Sequence, residues 1–140
     1  MKILLAVDGS AYTKRMLAYI AAHPELLGPA HEYTAFTVVP RIPPRAADYL
    51  EHKIVEDYYQ EQAEEVLGPV KAFAAQQGWQ LRALHVAGHA GDEIAALAAK
   101  EHFDLVVMGT HGRSTLGGVV LGSVTTRVVA HCKQPVLLIR

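Results

Sequence analysis

The segment from Leu105 to Val128, LVVMGTHGRSTLGGVVLGSVTTRV, carries the residue types and spacing best suited to chemistry. An apolar run ends at Gly109, Gly112 follows after two intervening residues, and Gly122-Ser123 after nine more. Glycines admit a ligand close to backbone N–H groups because no Cβ stands in the way. The free amides and positive dipole end of a helix start then favour an anion, above all a phosphate. A strand, a glycine-rich loop and a helix N-terminus in this order point to a nucleotide-phosphate site. The alternative is a loop whose glycines serve only turns and close packing.

Other constellations are weaker. Asp8, in Asp8-Gly9-Ser10, ends the first apolar run. A carboxylate beside a triphosphate is repelled, unless it accepts hydrogen bonds from the sugar or base or helps hold Mg²⁺ through water. It also reads as a plain turn residue. Gly112-Arg113-Ser114 echoes the end of a P-loop, but Val107 stands where the first glycine belongs and no lysine follows. The G-x-G-x-x-G spacing of dinucleotide enzymes is absent. Ser10, His111 and Asp8 assemble a hydrolase triad on paper, without a G-x-S-x-G elbow to expose the serine. His85 and His89 straddle a strand end rather than one helical face, which argues against a metal site. The single cysteine, Cys132, excludes an internal disulfide and reads as a half-buried thiol near a helix end.

The elements that must position these residues alternate. Lys2 to Val7 reads as a strand covered on both faces, followed by a helix from Ser10, its expected cap, to about His23. Pro24 to Pro29 reads as a turn, Tyr33 to Val39 as a strand, and Pro40 to Pro44 as a proline-stiffened loop. Asp48 to Gln77 has helical periodicity, with a kink or two abutting helices expected at Gly68-Pro69 and a cap at Gly78. Strands are predicted at Leu81 to Val86, Asp104 to Met108 and Val136 to Ile139, and helices at Asp92 to Lys100 and Ser123 to Ala130. Such alternation favours an α/β fold, a five-stranded parallel sheet with helices on both faces. Its strand order is then 3-2-1-4-5 or the related 2-1-3-4-5. In the first order the ligand crevice lies between strands one and four, where Asp8 and Gly109 end their strands.

The 140 residues suit one domain, and 51% hydrophobic against 19% charged residues describe a globular chain. A formal charge of −1 gives no basic excess for nucleic acid or an anionic membrane. The apolar run in MKILLAVDGS is shorter than a secretory signal needs, and no stretch reaches membrane-spanning length. A soluble cytoplasmic protein is the expectation.

With VDGS near the start and QPVLLIR at the end, the glycine segment resembles the universal stress protein family, in particular its ATP-binding branch. The resemblance covers residues 1–140 as one domain. It implies an adenine-nucleotide-binding fold of order 3-2-1-4-5 and a homodimer paired through the last strand. The nucleotide contacts it implies fall on Asp8, Val38, Met108, Gly109, Gly112, Arg113, Gly122, Ser123, Val124 and Thr125. ATP with Mg²⁺ is the implied ligand, and a nucleotide-gated stress or signalling module answering to a downstream protein the implied role. Two rivals stand beside it. One is a slow ATPase or phosphotransferase with Asp8, His111 and Arg113 as its only candidate groups. The other is a dimeric interaction protein whose pocket is vestigial.

Overall fold

In the computed structural model, which describes residues 1–113, 118 and 120–140, five strands alternate with six helices. In chain order these are β1 (Lys2–Ala6), α1 (Ala11–Ala22), α2 (Pro24–Leu27), β2 (Glu32–Val39), α3 (Pro44–Ala47) and α4 (His52–Gln77). Then come β3 (Gln80–Ala87), α5 (Ala90–Lys100), β4 (Leu105–Gly109), α6 (Ser123–His131) and β5 (Val136–Ile139). The sheet runs β3-β2-β1-β4-β5, and every pairing is parallel. This is the first of the two orders expected. The middle of the glycine segment, residues 114–117 and 119, lies outside the described residues.

The central strand explains why the apolar run at the start is so uniform. Ile3, Leu4 and Leu5 are all fully buried, because helices cover both faces of β1. One face packs Ile3 and Leu5 against Met16 and Ile20 of α1 and Val66 and Val70 of α4. The other packs Leu4 and Val106 against Ile94 of α5 and Val128 of α6. Full burial of each such side chain contributes about 1.5–3 kcal/mol. The two cores therefore anchor the strand ends from which the site is built.

Three local expectations are corrected. Pro24–Leu27 is a short helix rather than a turn, and Pro44–Ala47 makes another inside the proline-rich loop. In both, a proline opens the first turn, where its missing N–H is not needed. Of the kink or two abutting helices expected at Gly68-Pro69, the second is not found: α4 is one helix of 26 residues with Pro69 inside it. Pro69 and Glu65 are both exposed, so the proline sits on the outer side of the helix, away from the core that Val66 and Val70 meet. Gly78 ends α4 as predicted, in the left-handed conformation at φ 71°, with Trp79 N–H donating back to the Ala74 carbonyl.

Candidate functional site

The register of the sheet brings the two most chemical segments together. Ala6 pairs with Met108, so Asp8 lies two residues beyond that pair on β1 and Gly109 one residue beyond on β4. Between these strand ends opens a cleft of about 270 Å³. Its lining includes Asp8, Val38, Met108, Gly109, Gly112, Arg113, Gly122, Ser123, Val124 and Thr125. The ten residues that the family resemblance implies as contacts all share this one cleft.

On the β1 side, Asp8 is held by its own turn. Its Oδ1 accepts from the Ser10 N–H at 2.9 Å and from the Thr13 hydroxyl at 3.0 Å. Thr13 Oγ1 in turn accepts from the Asp8 N–H at 3.1 Å. The turn role and a ligand role are compatible, since Oδ2 points the other way, toward Gly112. A Cβ at Gly112 would come within 2.7 Å of it. Gly9 adopts φ +77°, and a Cβ there would meet the Arg113 guanidinium at 2.7 Å. The Arg113 side chain thus lies across the cleft mouth, from the glycine loop to the β1–α1 turn. Ser10 stands at the N-cap of α1, as expected, but its hydroxyl makes no cap bond. The carboxylate of Asp8 fixes the turn in its place.

On the β4 side, the chain doubles back tightly. Gly122 N–H donates to the Thr110 carbonyl at 2.8 Å. A Cβ on Gly122 would stand 3.2 Å from His111 Cα and 3.4 Å from the Thr110 oxygen. Gly122 therefore serves a close approach of backbone to backbone. It is also the N-cap of α6, so Ser123 is the first helical residue and not the cap. No side chain caps this helix. The N–H groups of its first turn accordingly face the cleft without an intrahelical acceptor. Thr125 offers no hydroxyl to a ligand, because it is buried and donates to the Gly109 carbonyl at 2.9 Å.

At the far wall, β2 outruns β1. The Val7 N–H donates to the Phe36 carbonyl, the last such bond between the two strands. Backbone groups of a strand alternate in direction, so Val38 points the same way as Phe36, past the place where β1 turns off. Its amide and carbonyl can read the edge of a flat ring.

Several lining residues escaped sequence reasoning: Thr13, Phe36 and Ala90 among them, and Gln62 from α4, while His111, weighed in the sequence for catalysis, also lines the cleft. For Gln62 a signal existed. It lies four residues before Val66, a polar residue on the helical face that otherwise meets the core. His111 has its Nδ1 3.0 Å from Thr110 Oγ1 and its ring 5.1 Å from that of Tyr12. Cys132 is half-buried at the end of α6, its thiol donating to Gln134 Oε1 at 3.3 Å. Among the described residues, no group of three or more His, Cys, Asp or Glu side chains could hold a metal ion. No helix among them is long and apolar enough to cross a membrane.

Comparison with known proteins adds to this geometry. The profile of the Universal stress protein family matches residues 1–140. A universal stress protein of Thermus aquaticus is 35% identical over 99% of this chain and 97% of its own length. The chain spans about half, 52%, of the universal stress protein MJ0531 of Methanocaldococcus jannaschii. Among solved structures, that of protein MJ0577 superposes with a TM-score of 0.79 at 26% identity, covering 99% of this chain and 94% of that one. The universal stress protein of Archaeoglobus fulgidus in complex with dAMP has the same fold, with a TM-score of 0.70 at 20% identity. That match covers 100% of this chain and 98% of the other.

Proposed function

The chain belongs to the universal stress protein family, and from that premise we propose that it is a nucleotide-responsive stress or signalling module whose cleft takes ATP with Mg²⁺. The observation that carries this reading is the convergence of Asp8, Val38 and the glycine segment on one cleft faced by an uncapped helix start. An adenine nucleotide needs a flat apolar slot with a backbone edge, a sugar acceptor and amides for phosphate. Met108 and Val38 supply the first, Asp8 Oδ2 the second, and Ser123 and Val124 N–H the third. Arg113 adds charge at the mouth. Mg²⁺ usually keeps several waters and one or two carboxylates beside the phosphates, and Asp8 is the carboxylate at hand. The ion would neutralise phosphate charge. The dAMP complex of the Archaeoglobus relative supports the same ligand class.

Nucleotide in this cleft would join the glycine segment to the stretch from Pro40 to Tyr58, since Pro40 also lines it. A protein partner that reads the joined state would sense nucleotide, because a ligand stabilises whichever conformation it prefers. We further propose that two copies pair through β5 and that the protein acts in the cytoplasm. Calorimetric titration with AMP, ADP and ATP, with and without Mg²⁺, tests the central claim. Saturable binding at or below millimolar nucleotide is expected. Its absence would leave the interaction protein with a vestigial pocket as the better reading.

A further inference from the structure

The strands divide the cleft into two sides. Met108, Val38 and Ile94 belong to the core that α5 and α6 cover, and that side is apolar. Val66 belongs to the core beneath α1 and α4, and there the lining turns polar, with Thr13, Gln62 and Arg113. Asp8 stands at the turn between the two sides.

Gln62 lies one helical turn before Val66 on α4, in the row that otherwise meets the core. It is half-buried, and among the described residues no hydrogen bond engages its amide. The Ile42 N–H donates to the Tyr59 hydroxyl at 2.9 Å, which ties the turn of α4 that carries Gln62 to the chain leaving β2. The polar neighbours of Gln62 are already committed. Thr13 Oγ1 donates to Asp8 Oδ1 and accepts from the Asp8 N–H. Arg113, whose guanidinium a Cβ on Gly9 would meet at 2.7 Å, only donates. Among the described side chains lining the α4 side, Gln62 alone brings a free acceptor to stand beside Asp8 Oδ2.

The stereochemistry of a nucleotide says what would face that acceptor. The base on C1′ and the phosphate arm on C4′ stand on one face of the sugar ring, and the 2′ and 3′ hydroxyls on the other. Val38 and the mouth of α6 draw base and phosphate to the α5 and α6 side, so the two hydroxyls turn toward α1 and α4. Asp8 Oδ1 is engaged by Ser10 and Thr13, which leaves Oδ2 for one hydroxyl. We infer that Gln62 reads the other, as a specificity residue for the ribose diol. The inference rests on the cleft binding an adenine nucleotide, as proposed above. A glutamine amide both accepts and donates, so it meets a hydroxyl either way round. A site built to bond a hydroxyl penalises the analogue that lacks it, because its own polar group is left unpaired.

The test is calorimetric titration with AMP, 2′-deoxy-AMP and 3′-deoxy-AMP of the native chain, Gln62→Leu and Gln62→Asn. Leucine removes the amide, and asparagine keeps it but withdraws it by one methylene. The native chain is expected to favour AMP over each deoxy analogue by about tenfold, the worth of one good hydrogen bond. Both variants should lose the preference over one analogue and keep the preference over the other, which Asp8 supplies. Both preferences kept in the variants, both lost, or neither present in the native chain would each overturn the role of Gln62 while nucleotide binding stands. A native chain that binds none of the three overturns it together with the proposed function.

Discussion

The hydroxyl of Thr125 donates to the carbonyl of Gly109 at 2.9 Å, tying the first turn of α6 to the last residue of β4. Both groups are buried, so the bond has no competition from water. It holds the mouth of α6 at the strand end where a phosphate would sit. Thr125→Val keeps the shape and removes the donor, leaving a buried carbonyl unpaired. Such a loss costs about 1–3 kcal/mol. Urea denaturation should therefore show a lower midpoint for Thr125→Val, with Thr125→Ser recovering much of the difference. Equal midpoints for Val and the native chain would deny the clamp an energetic role.

Much of this arrangement is legible in the residues. The parallel α/β sheet follows from apolar runs alternating with helical periods, which leave two strand orders open; the family resemblance implies the one found, and the cleft follows from that order. The misreadings share one physical cause, that local chemistry at proline depends on where the chain turns next. Pro24 and Pro44 open helices because each occupies a first turn, which a proline-rich string alone does not reveal. Pro69 stays inside α4 because its turn faces solvent, a fact of tertiary packing. Ser123 opens α6, as the predicted span has it, with Gly122 at the N-cap and its N–H bonded to the Thr110 carbonyl. Gln62 belongs to the cleft only once α4 is laid across β2.

Tyr33 predicts an alkaline limb of instability. It is 2% exposed, stacks on Trp79 at 5.0 Å, and donates its hydroxyl toward the carbonyls of Leu27 at 2.6 Å and Gly28 at 2.9 Å. Burial pushes its pKa up to about 12 from 10.0, because the phenolate would lose its water. The folded protein then holds the proton more tightly than the unfolded chain. This contribution to stability is complete below pH 10 and is lost as pH rises from 10 toward 12, by about 2–3 kcal/mol at the limit. Denaturation curves from pH 8 to 12 should show this fall in the native chain and a shallower one in Tyr33→Phe. Parallel pH profiles would assign the fall to other groups.

Gly122→Val addresses the cleft directly. The new Cβ would press on backbone at His111 Cα, 3.2 Å away, and the valine branches would press further. Overpacking of this kind costs about 1–3 kcal/mol, so the fold should persist with an unchanged far-ultraviolet circular dichroism spectrum. Nucleotide affinity should fall by about 100-fold or more, or about 2.7 kcal/mol, since the mouth of α6 is displaced. A variant that binds ATP like the native chain would mean that the nucleotide sits elsewhere.

The edge of the sheet gives a last prediction. β5 has β4 on one side and no strand on the other among the described residues. Val106 N–H donates to the Pro135 carbonyl and Thr110 N–H to that of Ile139, so residues 135, 137 and 139 turn their backbone groups toward β4. Val136 and Leu138 therefore turn theirs outward, where a second copy can pair with them. Leu138→Pro removes one outward donor and leaves every bond to β4 in place. Leu138→Ala removes the same side-chain packing but keeps the donor. Light scattering after size exclusion should find the native chain and Leu138→Ala dimeric at micromolar concentration, and Leu138→Pro shifted to monomer. A native chain that is monomeric there would discard pairing through β5. A Leu138→Pro dimer as tight as the native one would move the interface to another face.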